Sequence, residues 1–186
     1  MKLFRLNEFI DMKNKMRRRN GFTLAEVLLA MLILLLVSGI VAGGIPAAIN
    51  AYKKVVLSAN AHALISTTMV ELRDKLALAK EVKPSGSTLE FVSNDGRKYS
   101  LSLKDKDGLY LEDITGDGSD ASRLLVSDPA TTKELYAKFE SVSFADGKTN
   151  VIKFTDLCVC NKSSTKEDDK GYVSVDDFMV EIINLR

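Results

Sequence analysis

From Phe22 to Ile49 the chain is apolar, interrupted by polar side chains only at Thr23, Glu26 and Ser38. That run of 28 residues is long enough, at about 1.5 Å per residue, to cross a bilayer core of about 30 Å. It predicts a membrane-spanning helix over 22–49. Polar residues enter after Asn50, and the apolar ones then recur at helical spacing. Ile65, Met69, Leu72, Leu76 and Ala79 form one stripe, which Val55, Ala59 and His62 extend toward the membrane segment. Asn50 to Lys83 contains neither Gly nor Pro. The spacing therefore predicts one continuous helix over 22–85, ended by Pro84-Ser85-Gly86-Ser87. Up to Lys83 such a helix would be about 93 Å long, so its second half needs a packing surface of its own. Gly39, Gly43, Gly44 and Pro46 weaken its middle, and a kink is expected there.

After Gly86 the period changes from helical to alternating. Leu89 and Phe91, then Tyr99, Leu101 and Leu103, alternate with polar residues on either side of Asn94-Asp95-Gly96, a hairpin signal. Leu109 to Leu111 follow Asp107-Gly108. Ser122 to Ser127 reads as a short strand stopped by Asp128-Pro129. Lys138 to Phe144 and Val151 to Cys160 flank a second turn at Asp146-Gly147, and Tyr172 to Asn184 closes the chain as a long apolar strand pair or one bulged strand. Six or seven strands and no second long helix are expected, in a β-rich domain over 86–186. The fold class is α+β: a long N-terminal helix whose stripe at Met69, Leu72 and Leu76 packs on a C-terminal antiparallel sheet.

Charge orients this arrangement. Residues 1–21 hold seven Lys or Arg against Glu8 and Asp11, about +5, whereas the whole chain has a formal charge of +1. Residues 22–186 therefore carry about −4. Positive charge directly before an apolar helix keeps that end in the cytoplasm and places the rest outside. It also argues against reading Arg17-Arg18-Arg19 as a nucleic-acid patch, and no nucleic-acid contact is predicted. The two cysteines, Cys158 and Cys160, share one face of a strand, with Cα atoms about 6.5–7 Å apart. That spacing is at the outer limit for a disulfide, and a pair of buried or half-buried thiols is equally compatible. No Cys precedes position 158, which excludes a lipoprotein anchor.

The sharpest candidate chemistry lies at the head of the helix, in Arg17-Arg18-Arg19-Asn20-Gly21-Phe22-Thr23-Leu24-Ala25-Glu26. A basic stretch ends at a glycine, an aromatic residue begins an apolar helix, and one carboxylate sits five residues in. A lone membrane carboxylate costs roughly 2.5–3.5 kcal/mol at the bilayer centre and less near the interface, so a compensating role is expected of Glu26. This stretch resembles the processing site of type IV prepilins and type II secretion pseudopilins. The resemblance implies that residues 1–21 are a leader, that cleavage follows Gly21, and that the new amine of Phe22 is methylated. It implies a prepilin peptidase and methyltransferase, other pilin or pseudopilin subunits, an inner-membrane assembly platform and membrane lipid as partners. Glu26 matches the family's acidic fifth position. In a filament its carboxylate is placed to pair with the Phe22 amine of a neighbour, fixing axial register. The kink at Gly43, Gly44 and Pro46 fits the kinked or melted segment common in pilin filaments.

The acidic loop Glu112 to Asp120 raises calcium as a ligand, since oxygen donors on a glycine-rich loop suit that ion. Its spacing does not match an EF-hand. Otherwise no metal site or cofactor is expected. With one His, no nucleophile elbow and no phosphate-cradling loop, no enzymatic site can be nominated. His62 reads as a helix-face residue. The expected role is that of a minor pilin or pseudopilin. The alternative is a signal-anchored extracellular binding domain that does not polymerise. A signal peptide cut near Val41-Ala42-Gly43-Gly44 is a further competitor.

Overall fold

The computed structural model describes residues 22–116, 122–163 and 172–183. Two compact units divide at Tyr52 and Lys53, and the helix α1 (Leu24–Leu76, 53 residues) contributes to both. In the first unit every described residue is exposed, including Leu28, Leu32, Leu35 and Ile40. By length and composition the helix is able to cross a membrane.

The second unit is built from the remainder of α1 and nine strands. Strands β1 (Glu81–Ser85), β2 (Thr88–Val92), β3 (Lys98–Lys104), β4 (Gly108–Asp113) and β5 (Arg123–Leu124) form an antiparallel sheet in sequence order. The Asp95-Gly96 turn joins β2 to β3 as the sequence predicts, with Gly96 at φ 87°. The second sheet is organised around β8 (Val151–Asn161). β9 (Val173–Glu181) pairs with β8, as do both β6 (Leu135–Lys138) and β7 (Ser141–Phe144) at different registers. Backbone hydrogen bonding between Gly86 and Val142 links the two sheets.

One face of each sheet meets α1. Leu64, Ile65, Leu72 and Leu76 share a single buried cluster with Leu89, Phe91, Leu101 and Leu111 of the first sheet and Ile152, Phe154, Leu157 and Val180 of the second. The α+β arrangement of a long apolar helix packed on antiparallel sheets is thus present. Thr68 lies in the same interface, and its hydroxyl is satisfied by donating to the Leu64 carbonyl at 2.7 Å.

Several expectations need correction. The helix stops at Leu76, not near residue 85, and 81–85 is a strand. Leu76, Ala79 and Val82 are spaced by three, so the apolar period runs on through a turn and hides the change to extended backbone. Pro84 sits in a strand of the sheet edge, where a missing N–H is tolerated. Gly86, at φ 61°, belongs to the two-residue turn between β1 and β2. The buried stripe also differs above Ile65. It continues through Thr68, Leu64 and Ala61, with Leu57 partly buried, while Val55, Ala59 and His62 are exposed.

The described residues form nine strands where six or seven are expected, because Lys138–Phe144 spans parts of two strands and β1 lies where the sequence predicts helix. The strand expected over Ser122–Ser127 is only Arg123–Leu124, followed by a short helix α2 (Pro129–Thr132). Asp128 caps it, accepting from the Ala130 N–H at 3.1 Å. The final element is one strand, Val173–Glu181, and Asn184 lies outside the described residues.

Candidate functional site

At the start of α1 the polar side chains satisfy one another. Thr23 is the residue before the first helical position, Leu24, and Glu26 is the third residue of the helix. The Thr23 backbone N–H donates to Glu26 Oε2 at 2.9 Å, and the Thr23 hydroxyl donates to the same oxygen at 3.0 Å. In return the Glu26 N–H approaches Thr23 Oγ1 at 3.3 Å. This reciprocal arrangement is a capping box, which occupies amides that no helical carbonyl reaches. The carboxylate also faces the positive end of the helix dipole. Phe22, immediately before it, is 84% exposed. The carboxylate is therefore held by its own chain, within one turn of the Phe22 position.

Residues 16–42 match the family model of the prokaryotic N-terminal methylation motif. This is the prepilin-type cleavage and methylation motif of type IV pilins and pseudopilins. Neither a curated protein nor a solved structure matches the chain. The methylation motif is that of structural subunits and not of an enzyme family. It implies processing by a prepilin peptidase and association with other pilins. The apolar helix that it opens fits a single-pass membrane anchor.

Within the motif, Gly21 lies outside the described residues, while Phe22 and Glu26 are described. Thr23 was missed as a functional residue in reading the sequence. Its signal was available, since Thr23-x-x-Glu26 before an apolar run is the capping-box pattern. Farther along, α1 is helical without a break through Gly39, Gly43, Gly44 and Pro46, so this segment is not melted in the single chain. A Cβ added at Gly39, Gly43 or Gly44 would meet nothing within 4 Å. Among the described residues, no packing contact calls for these glycines.

The acidic loop is only partly described, because 117–121 lie outside. What is described is engaged locally. Asp113 accepts from the Thr115 backbone N–H at 3.0 Å and from the Thr115 hydroxyl, and Arg97 approaches it at 4.0 Å. Among the described residues, no group of three or more His, Cys, Asp or Glu side chains is placed to hold a metal. The Thr115 hydrogen bonds, with Arg97 as a lesser cause, hold the Asp113 carboxyl below its ordinary pKa. A depressed folded-state pKa adds stability that is complete above the unfolded value, about 3.9, and is lost as pH falls through the folded one. Titration of Asp113 followed by carboxyl-carbon NMR is expected to show this depression. Thr115→Val is expected to move the midpoint back up toward 3.9, and an unchanged midpoint would contradict the assignment.

Cys158 and Cys160 lie side by side on β8. Both are buried, with Sγ atoms 3.9 Å apart and no disulfide. The hydrogen bond with Cys160, followed by burial, pushes the Cys158 thiol pKa up.

Proposed function

We propose that this chain is a minor pilin or pseudopilin, assembled into a type IV pilus or a type II secretion-like filament. One observation carries the reading: the methylation motif at 16–42 opens a helix whose first half has no buried residue among those described. An apolar surface of that extent is stable only against lipid or other apolar helices. Lipid serves the precursor, and neighbouring helices serve the assembled subunit.

In this reading the precursor sits in the cytoplasmic membrane, its basic end inside and its C-terminal domain extracytoplasmic. Prepilin peptidase cuts after Gly21, the Phe22 amine is methylated, and an inner-membrane platform passes the subunit into the filament. Before cleavage, the Thr23 capping box meets part of the hydrogen-bonding demand of Glu26. After cleavage, a cationic amine at Phe22 supplies a full counter-charge. Pairing between the Glu26 of one subunit and the Phe22 amine of the next removes two unpaired charges from a low-dielectric region. It also selects one axial stagger between adjacent helices. The functional role is mechanical, and no chemical turnover by the chain is involved.

The test is Gly21→Leu. A branched side chain at the residue before the scissile bond is expected to block cleavage, so that the full precursor accumulates in the membrane. Size on an immunoblot, compared with co-expressed peptidase present and absent, reads the outcome. Normal maturation of Gly21→Leu would remove the assigned cleavage point. An uncleaved wild-type chain would instead leave a signal-anchored domain that does not polymerise.

A further inference from the structure

Two lysines stand just beyond the apolar run of α1. Lys53 and Lys54 are the only Lys or Arg residues between Glu26 and Arg73, and no Asp or Glu occurs between Glu26 and Glu71. The helix therefore brings no carboxylate within one turn of either lysine. Both lysines are exposed, and among the described residues neither takes part in an ion pair. Tyr52, directly before them, is exposed as well. Consecutive helical positions differ by about 100° around the axis, so these three side chains spread around more than half of α1 and form a collar at one level.

The level of this collar matches the thickness of a bilayer. Residues 27–49 contain no charged side chain and, as helix, cover about 34 Å. A hydrocarbon core of about 30 Å accommodates that length with a modest tilt. With Glu26 at one headgroup layer, Tyr52 and the two lysines reach the other. An aromatic ring with a polar tip suits that layer, and so does an ammonium on a long apolar stem. The groups an ammonium meets there are lipid phosphates. A zwitterionic headgroup offsets its phosphate with its own ammonium, whereas an anionic headgroup leaves that charge for lysine.

We propose that Tyr52, Lys53 and Lys54 form a collar that binds anionic phospholipid headgroups on the outward face of the membrane. This rests on the reading of α1 as a membrane span. The collar resists sliding of the helix toward the cytoplasm, because two ammonium groups would have to enter hydrocarbon. Glu26 resists sliding in the other direction for the same reason. The apolar run is thereby held at one depth while the subunit waits in the membrane. Entry into a filament requires both lysines to leave lipid phosphate.

The chain contains no Trp, so a single substitution gives a single fluorescent reporter. The test places full-length Tyr52→Trp in vesicles of phosphatidylcholine and phosphatidylglycerol in equal parts, with quenching bromine on the acyl chains of one lipid or the other. Trp keeps the interfacial character of Tyr. Brominated phosphatidylglycerol is expected to quench more strongly, with a local preference of about fivefold or more at low salt. High salt is expected to weaken that preference, and adding Lys53→Gln with Lys54→Gln is expected to abolish it. Equal quenching by the two lipids in Tyr52→Trp would overturn the proposal, as would a preference that survives both lysine substitutions. Leu35→Trp, in the middle of the apolar run, reads the span separately and also checks that the lysine variant remains inserted. If Leu35→Trp is quenched while Tyr52→Trp shows no lipid preference, the span stands and the collar fails. If Leu35→Trp is not quenched by either lipid, both fail.

Discussion

Glu26→Ala is expected to yield a subunit that matures normally and fails to enter filaments. Its carboxylate is the only acidic group between Phe22 and Asn50. Among the described residues it is held by Thr23, through hydrogen bonds of 2.9 and 3.0 Å. Alanine removes both this cap and the charge, so a second substitution separates the two effects. Glu26→Gln keeps a side chain that completes a capping box and abolishes the charge that would meet a neighbour's amine. If charge pairing sets the axial register, both variants are cleaved and both are absent from sheared or purified filaments. If Glu26 acts only as a cap, Gln assembles and Ala does not. Normal incorporation of both would contradict any assembly role. The effect is expected to approach all-or-none. Either variant leaves the neighbour's Phe22 amine without its counter-charge, an unpaired charge that costs up to roughly 2.5–3.5 kcal/mol in the membrane, and that cost recurs at every subunit contact along the filament.

Phe154→Ala is expected to destabilise the folded unit by about 3–5 kcal/mol. Phe154 is fully buried on β8, which carries the register of the second sheet. Its ring lies 5.3 Å from Phe139, edge on, and 6.0 Å from Phe178. Truncation leaves a cavity that β-sheet backbones on both sides cannot close. Against a total stability of about 5–15 kcal/mol for an ordinary domain, the loss is large enough to lower the yield of folded protein. Denaturant unfolding of the full chain in detergent, with Phe144→Ala as a less buried comparison on β7, measures it. A loss below about 1 kcal/mol, the scale of an ordinary surface change, would mean that the second sheet does not form the core described.

The residues differ in how plainly they announced these roles. The methylation motif at 16–42 was legible because the basic flank, Gly21, Phe22 and Glu26 at the head of an apolar run resemble the prepilin-type pattern. The helix stripe was legible at Ile65, Leu72 and Leu76. Above Ile65 the apolar residues Val55 and Ala59 gave a false lead, since small and β-branched residues line both faces there and only packing chooses between them. The end of α1 was obscured for a related reason, because Leu76, Ala79 and Val82 keep a helical spacing across the turn into β1.

The break between β6 and β7 depends on β8. Asp156 takes a positive φ of 53°, which shifts the inward face of β8 from Ile152 and Phe154 to Leu157 and Val159. Local sequence contains no glycine to mark that bend. The same shift places Cys158 and Cys160 together on the outer face. Their contact was foreseeable from the i, i+2 spacing, and their burial as thiols was one of the two readings that spacing left open.

The first measurement to make is the intact mass and N-terminal sequence of the protein taken from its native membrane. The prepilin assignment predicts a chain that begins at Phe22, with one added methyl group on its amine. A chain beginning at Met1, or one beginning near Gly43, would contradict it.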